Sequence, residues 1–499
     1  MSRPTVLVLL LSLLAAGCVA PASDVETQSD GSAAVPADWW VDAIPSSLTH
    51  PDHDHGLRAH HAGITTPNFE VVGWDPLVTA HYGTTLEGMG CGGAVTRDDG
   101  RRLAIVHSIS TDVSFVVADV TDPAAPKMVG EFYMPNAVVW DADISADGNH
   151  VLVGAYPWFI LGERIPELPV GARAAPVDAP MQILYRNACT NGQFVSLAGP
   201  EAYLPYGPGI VMVGIQDPAA PKLEDWVPQP VIGPHSVGSQ LVGGKLYATA
   251  SVTNLVHSAS YYSIFEIVGS KLVPYTVIRV PGTTTRFNGH VDVFLHEHPV
   301  TGNVLAHLAN WDGYYVYDIT TPVPVPVSSW FDAGAVHTTY PFPSLVDEKQ
   351  YIVVGQEVGE PSELPSGWVY ILDITNPAAP AEVGRWTLPV KPKWDNGGLQ
   401  FSPHYVAILN QTMFVSNYHG GLWAVDITDL AAPAAIGVFM PERESPAHFG
   451  GAQSYEPVIE DVIVDQTTGL LTTWDGAGGV YVLRFREDMA KVHAPRWVA

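Results

Sequence analysis

Four histidines stand at the heads of runs of branched and aromatic residues: Pro234-His235-Ser236, Gly289-His290-Val291, Val336-His337-Thr338 and Pro403-His404-Tyr405. Neutral imidazole is a preferred ligand of zinc and copper, so a fold that gathers these four would build a transition-metal site. The expectation is that at least three of them bind one ion, copper or zinc. His419, in Asn417-Tyr418-His419-Gly420, is expected just behind them, because partners of that kind orient the ligating rings. Asp141, Glu456 and Cys91 are further donors at comparable positions. Taken singly, each histidine reads more readily as a structural one that hydrogen-bonds backbone between blades; it is the set of four that points to metal.

Other chemistry is less well represented. Pro234-His235-Ser236-Val237-Gly238 has Pro where a nucleophile elbow needs Gly, and no phosphate loop or dinucleotide fingerprint occurs. The net charge of −28 excludes the basic footprint that nucleic-acid binding needs, and would favour cationic partners. Between His50 and His61 five histidines alternate with acids, a tract that can hold metal loosely or serve only as a solvated linker. Cys91 and Cys189 predict either a disulfide or a free thiol that could ligate metal.

The elements that must position these residues are short strands. From His404 to Pro441 the sequence predicts a four-stranded meander over Tyr405–Leu409, Met413–Asn417, Leu422–Ile427 and Ala435–Met440. Its third turn, Asp426-Ile427-Thr428-Asp429, leads to Pro433 and has relatives elsewhere. VVADVTDPAAP, VMVGIQDPAAP, VYDITTPVPVP and VYILDITNPAAP end at Pro126, Pro221, Pro326 and Pro380. Taking Asp119, Gly214, Glu266, Asp318, Asp373, Asp426 and Arg484 as equivalent gives intervals of 95, 52, 52, 55, 53 and 58 residues. A period near fifty in an all-β chain predicts a seven-bladed β-propeller of four-stranded antiparallel blades.

The long first interval places an insertion, residues 157–209, between the second and third strands of blade 2. A smaller one, Gln356–Ser366, falls at the same place in blade 5. Inner strands line a propeller's channel, so the four histidines and these insertions should share one face. Asn68–Leu77 reads as an outer strand without a blade and is expected to close blade 7, with Val492–Val498 as the competitor.

The turn sentence resembles the LVIVD-repeat family of bacterial and archaeal surface β-propellers, over nearly everything from residue 67 on. More locally, Ser416-Asn417-Tyr418-His419-Gly420-Gly421 with Asp426-Ile427-Thr428-Asp429 is similar to a segment of the selenium-binding protein and methanethiol oxidase family. That second likeness implies a copper-dependent oxidoreductase; the first implies a binding or scaffold protein with a protein or small-molecule ligand. Residues 1–17 read as a lipoprotein signal peptide, with Ala15-Ala16-Gly17-Cys18 as the lipobox and Cys18 as the lipidated residue. Residues 18–66 follow as a flexible His-rich tether and 67–499 as the propeller. The expected location is therefore a membrane surface outside the cytoplasm, periplasmic or cell-surface.

Overall fold

The protein is described here by a computed structural model covering residues 65–66, 68–80, 89–108, 113–134, 137–157, 209–228, 233–253, 259–281, 290–331, 335–357, 367–388, 402–418, 420–441, 447–449, 452–454, 458–476 and 479–487. The signal peptide, Cys18, the His-rich tether, the body of the blade 2 insertion with Cys189, and Val492–Val498 lie outside them.

Seven four-stranded antiparallel sheets form a closed ring. Their inner strands are Met89–Thr96, Ala137–Ile144, Gly233–Val242, His290–Glu297, Val336–Pro341, Val406–Leu409 and Ile459–Val464. Each touches the inner strand of the next blade, and blade 7 meets blade 1. The expected meander appears as Val406–Leu409, Thr412–Ser416, Leu422–Asp426 and Ala434–Phe439. Middle strands face a neighbouring blade on both sides, so they read as unbroken apolar runs; Arg102–Ser108 and Thr412–Ser416 are buried at every residue. The core is correspondingly divided into seven hydrophobic clusters, one at each blade interface.

The repeated turn has a simple physical basis. Asp119, Asp318, Asp373 and Asp426 each accept the backbone N–H two residues on, at 2.8–2.9 Å. Asp122, Asp217, Asn376 and Asp429 repeat the same Asx turn at the next corner, at 3.0–3.2 Å. The turn of one blade packs under a glycine in the outer strand of the blade before it. A β-carbon on Gly130 would lie 1.8 Å from the Pro218 carbonyl oxygen, and one on Gly384 2.1 Å from that of Leu430.

The N-terminal strand closes the ring. Phe69–Asp75 pairs with Gly479–Phe485, with Phe69 opposite Phe485. The Phe69 ring also packs against Phe414 and Phe439 of blade 6. Just before it, the Thr66 N–H donates to the Val438 carbonyl and the Asn68 side-chain amide to that of Ile436, both on the outer strand of blade 6. One segment thus covers the open edge of blade 7 and staples it to its neighbour.

Candidate metal centre

Six of the seven inner strands slip register near their start, at Met89/Gly92, Val139/Asp141, Pro234/Val237, His290/Asp292, Val336/Thr338 and Ile459/Val462. Bulges of this kind re-aim side chains, and here they occur where the strands enter the channel. Blade 6 holds its head differently: the His404 N–H donates to the Ser416 carbonyl at 2.9 Å.

His337 and His404 come together at this mouth, with ring centres 4.2 Å apart. His337 presents Nε2 to Glu357 Oε2 at 3.4 Å. Ligand atoms of His337, Glu357 and His404 all lie within 4.8 Å of one another. A second trio, Cys91, His404 and Glu460, meets the same limit on the other side of His404. The Cys91 sulfur is 3.9 Å from Glu460 Oε2.

Hydrogen bonds fix the histidine tautomers. His404 Nδ1 is 2.7 Å from the Glu460 carbonyl oxygen, which can only accept, so the proton sits on Nδ1 and Nε2 carries the lone pair. His107, on the second strand of blade 1, makes the same arrangement with the Cys91 carbonyl at 2.5 Å. Burial pushes His337 and His404 down to about 3 and His107 to about 4. All three are therefore neutral and ligand-competent at neutral pH.

Tyr418 supports the trio. Its hydroxyl donates to Glu357 Oε1 at 2.5 Å, its ring centre lies 4.5 Å from that of His404, and its φ is +48°. A bulky residue in the left-handed region is a backbone held by its surroundings, here by the Tyr418 carbonyl accepting the Ile459 N–H at 2.9 Å.

The inner strands also carry a set of carboxylates. Asp141 and Asp143 accept the Val237 and Ser239 N–H groups of the next blade, each at 2.8 Å. Burial raises Asp143 and Asp292 to about 7 and pushes Asp141, Glu460 and Asp461 well up, with neighbouring carboxylates adding to the effect on the last three. The Cys91 thiol is raised by burial and then by Asp141 and Glu460.

The sequence-derived set is thus partly assembled. His337 and His404 are brought together. His235 lies beside them, 6.4 Å from His337 between ring centres, but its Nε2 accepts the Trp140 indole N–H at 3.0 Å. His290 begins the inner strand of blade 4; its side chain, His419 and Glu456 lie outside the described residues. Cys91 is a free, buried thiol, and Cys189, its expected partner, is not among the described residues. Sequence reasoning missed Glu357, Glu460 and His107. Aligning the strand heads would have found Glu460, because Glu460-Asp461-Val462 stands where His404-Tyr405-Val406 stands. His107 is a histidine inside the apolar run LAIVHS.

Residues 368–387, the third and outer strands of blade 5 with their turn, match the LVIVD repeat. No curated protein sequence matches the chain. Among solved structures, a candidate 6-phosphogluconolactonase from Bacteroides uniformis is similar at TM-score 0.47 and 10% identity, covering 78% of this chain and 94% of that one. Another, from Bacteroides fragilis, stands at TM-score 0.47 and 10% identity, covering 75% and 88%.

Proposed function

We propose that the protein is exported, held on a membrane through lipid at Cys18, and acts there as a binding or scaffold propeller with a transition metal at its channel mouth. The observation that carries the metal reading is the convergence of His337, Glu357 and His404 within 4.8 Å. Two imidazoles and a carboxylate suit zinc or copper, and three protein ligands leave a position for an incoming small ligand. The LVIVD repeat at 368–387 and the propeller scaffold support the binding role. The export reading draws on Ala15-Ala16-Gly17-Cys18.

A variant lacking residues 50–61 isolates the centre from the His-rich arm. Exposed to zinc and to copper, it should retain about one equivalent of metal per chain, read by elemental analysis. His337→Ala with His404→Ala should bring that to none, while His235→Ala should leave it, since Trp140 already occupies Nε2. A folded, metal-exposed parent that carries no metal ends the metal reading and leaves the scaffold. Cys18→Ser should move the full chain from the membrane fraction to the soluble one; a variant that stays with the membrane ends the lipid reading.

A second reading, a copper-dependent oxidoreductase, is favoured by the position of Tyr418, whose ring faces His404 while its hydroxyl holds Glu357. Copper-loaded protein would then consume oxygen in the presence of a small thiol, and Tyr418→Phe would slow that consumption without removing the copper.

A further inference from the structure

We propose that a soft or borderline metal ion binds on the blade 1 and blade 7 side of His404, through the thiolate of Cys91, the carboxylate of Glu460 and the His404 imidazole. The inference rests on the reading of the mouth as a metal centre and specifies how that centre selects its ion. His404 is shared between two ligand sets, one made of nitrogen and oxygen donors with His337 and Glu357, the other carrying sulfur. A single imidazole lone pair serves one ion, so the two positions compete. Ligand softness decides between them: thiolate draws zinc, cobalt(II) or copper(I), whereas the nitrogen and oxygen side suits copper(II).

Three further observations point to an ion on the sulfur side. His107 Nε2 is buried, on a residue only 1% exposed, and has no hydrogen-bond partner among the described residues. Its lone pair faces the same space: a β-carbon on Gly90 would lie 2.5 Å from His107 Nε2 and 3.2 Å from Glu460 Oε2. Glycine leaves that gap open, and the Trp474 indole N–H, donating to the Gly90 carbonyl, holds the backbone there. A buried acceptor left without a donor or cation is destabilising, because its desolvation is uncompensated. The third observation is charge. No lysine or arginine is paired with Glu460, Asp461 or Asp141 among the described residues, where every described ion pair lies elsewhere. A cation between Cys91, Glu460 and His404 satisfies the carboxylate and gives the His107 lone pair a positive neighbour. As the sulfur–metal bond forms, the thiol proton leaves for solvent, so binding strengthens with pH.

Cobalt(II) added to the protein lacking residues 50–61, so that the His-rich arm takes up none of it, tests this. A thiolate-to-cobalt charge-transfer band should appear in the near ultraviolet. It should be lost in Cys91→Ser and His404→Ala, and survive in His337→Ala and Cys189→Ser. Because Cys91 is buried and its variant could misfold, X-ray absorption on the same cobalt-loaded, arm-deleted protein with Cys91 intact provides a second measurement, in which one sulfur neighbour should be seen. Cobalt bound without a sulfur neighbour, a band that survives Cys91→Ser, or a Cys91–Cys189 disulfide in the unreduced protein each overturns the proposal while leaving the nitrogen and oxygen site standing. If elemental analysis finds no bound cobalt, zinc or copper at all, this proposal and the metal reading fall together.

Discussion

The outer turns and the inner strand heads of this propeller follow opposite rules. At the turns, Asp119, Asp318, Asp373 and Asp426 repeat one residue and one hydrogen bond, and the corners after them repeat a second. Each of these carboxylates is satisfied by a backbone N–H two residues on. At the heads the residue type changes around the ring, with Cys91, Asp141 and Glu460 beside four histidines, His235, His290, His337 and His404. Cys91, Asp141, His337, His404 and Glu460 are buried, several are raised or lowered far from their ordinary pKa values, and His107 Nε2 beside them lacks a partner among the described residues. Repetition marks what the ring needs in order to close. Departure from it marks where the chain has been shaped for something other than stability.

The sharpest way to break the outer half of this contrast is at Gly130. Gly130→Ala places a methyl carbon 1.8 Å from the Pro218 carbonyl oxygen of the next blade, a backbone atom that cannot swing aside. The blades must part locally, and the loss should be about 3 kcal/mol in urea unfolding. Metal content of the folded fraction should not change, because the site lies at the other end of the blade. A loss below about 0.5 kcal/mol would mean that the turns do not set the blade spacing.

That division also explains what could be read in advance. The VYILDITNPAAP sentence was legible because Asx turns and proline corners act through their own backbone, within a few residues. The closing strand was legible for a related reason: Asn68–Leu77 carries the outer-strand pattern, including Gly73, whose β-carbon would strike the Pro123 carbonyl. The site was legible only in part. His337 and His404 stood out as strand heads, but Glu357 enters from the edge of an insertion, and His107 comes from a second strand in another blade. Such convergence depends on where the ring closes, which no local spacing encodes.

The inner half of the contrast can be tested by titration. Asp143 and Asp292 are raised to about 7 from 3.8, with burial as the first cause. Both side chains are half-buried rather than fully buried, so their effect is discounted for solvent screening. A raised carboxyl contributes stability that is fully present below about 4 and is lost as pH rises through about 7. His107, His337 and His404 run the other way, giving stability present above about 6.5 and lost as pH falls toward 4 and 3. In the metal-free wild type the two trends oppose each other. Asp143→Asn with Asp292→Asn removes only the first. The variant should therefore gain on the wild type between pH 4 and 7, by about 2 kcal/mol in all, and hold that lead above pH 8. A lead that is flat with pH, or that shrinks as pH rises, would show that these carboxyls are not held neutral by the fold.

The smallest expected effect tests whether a break in the outer repeat is also chosen. Blade 2 has Gly214 where blades 1, 4, 5 and 6 have Asp, and placing Asp there would add an Asx turn worth about 1 kcal/mol and remove a flexible glycine. Asp426→Ala, which deletes the equivalent bond to the Thr428 N–H, should lose about that much. Yet Gly214→Asp should not gain it. A β-carbon at 214 would lie 2.3 Å from Glu224 Oε1 and 2.7 Å from Gln216 Oε1. Glu224 has another partner, with Oε2 3.1 Å from His150 Nε2, and its Oε1 accepts the Gln216 amide at 3.3 Å. The new carboxylate would displace Glu224 from both and stand beside it with like charge, so the net change should be a loss of about 1 kcal/mol at pH 7. Adding Glu224→Gln should recover part of it by removing the repulsion. If Gly214→Asp instead raises the urea midpoint, the glycine is an accident of drift in the repeat, and the Glu224–His150 contact does not hold that turn.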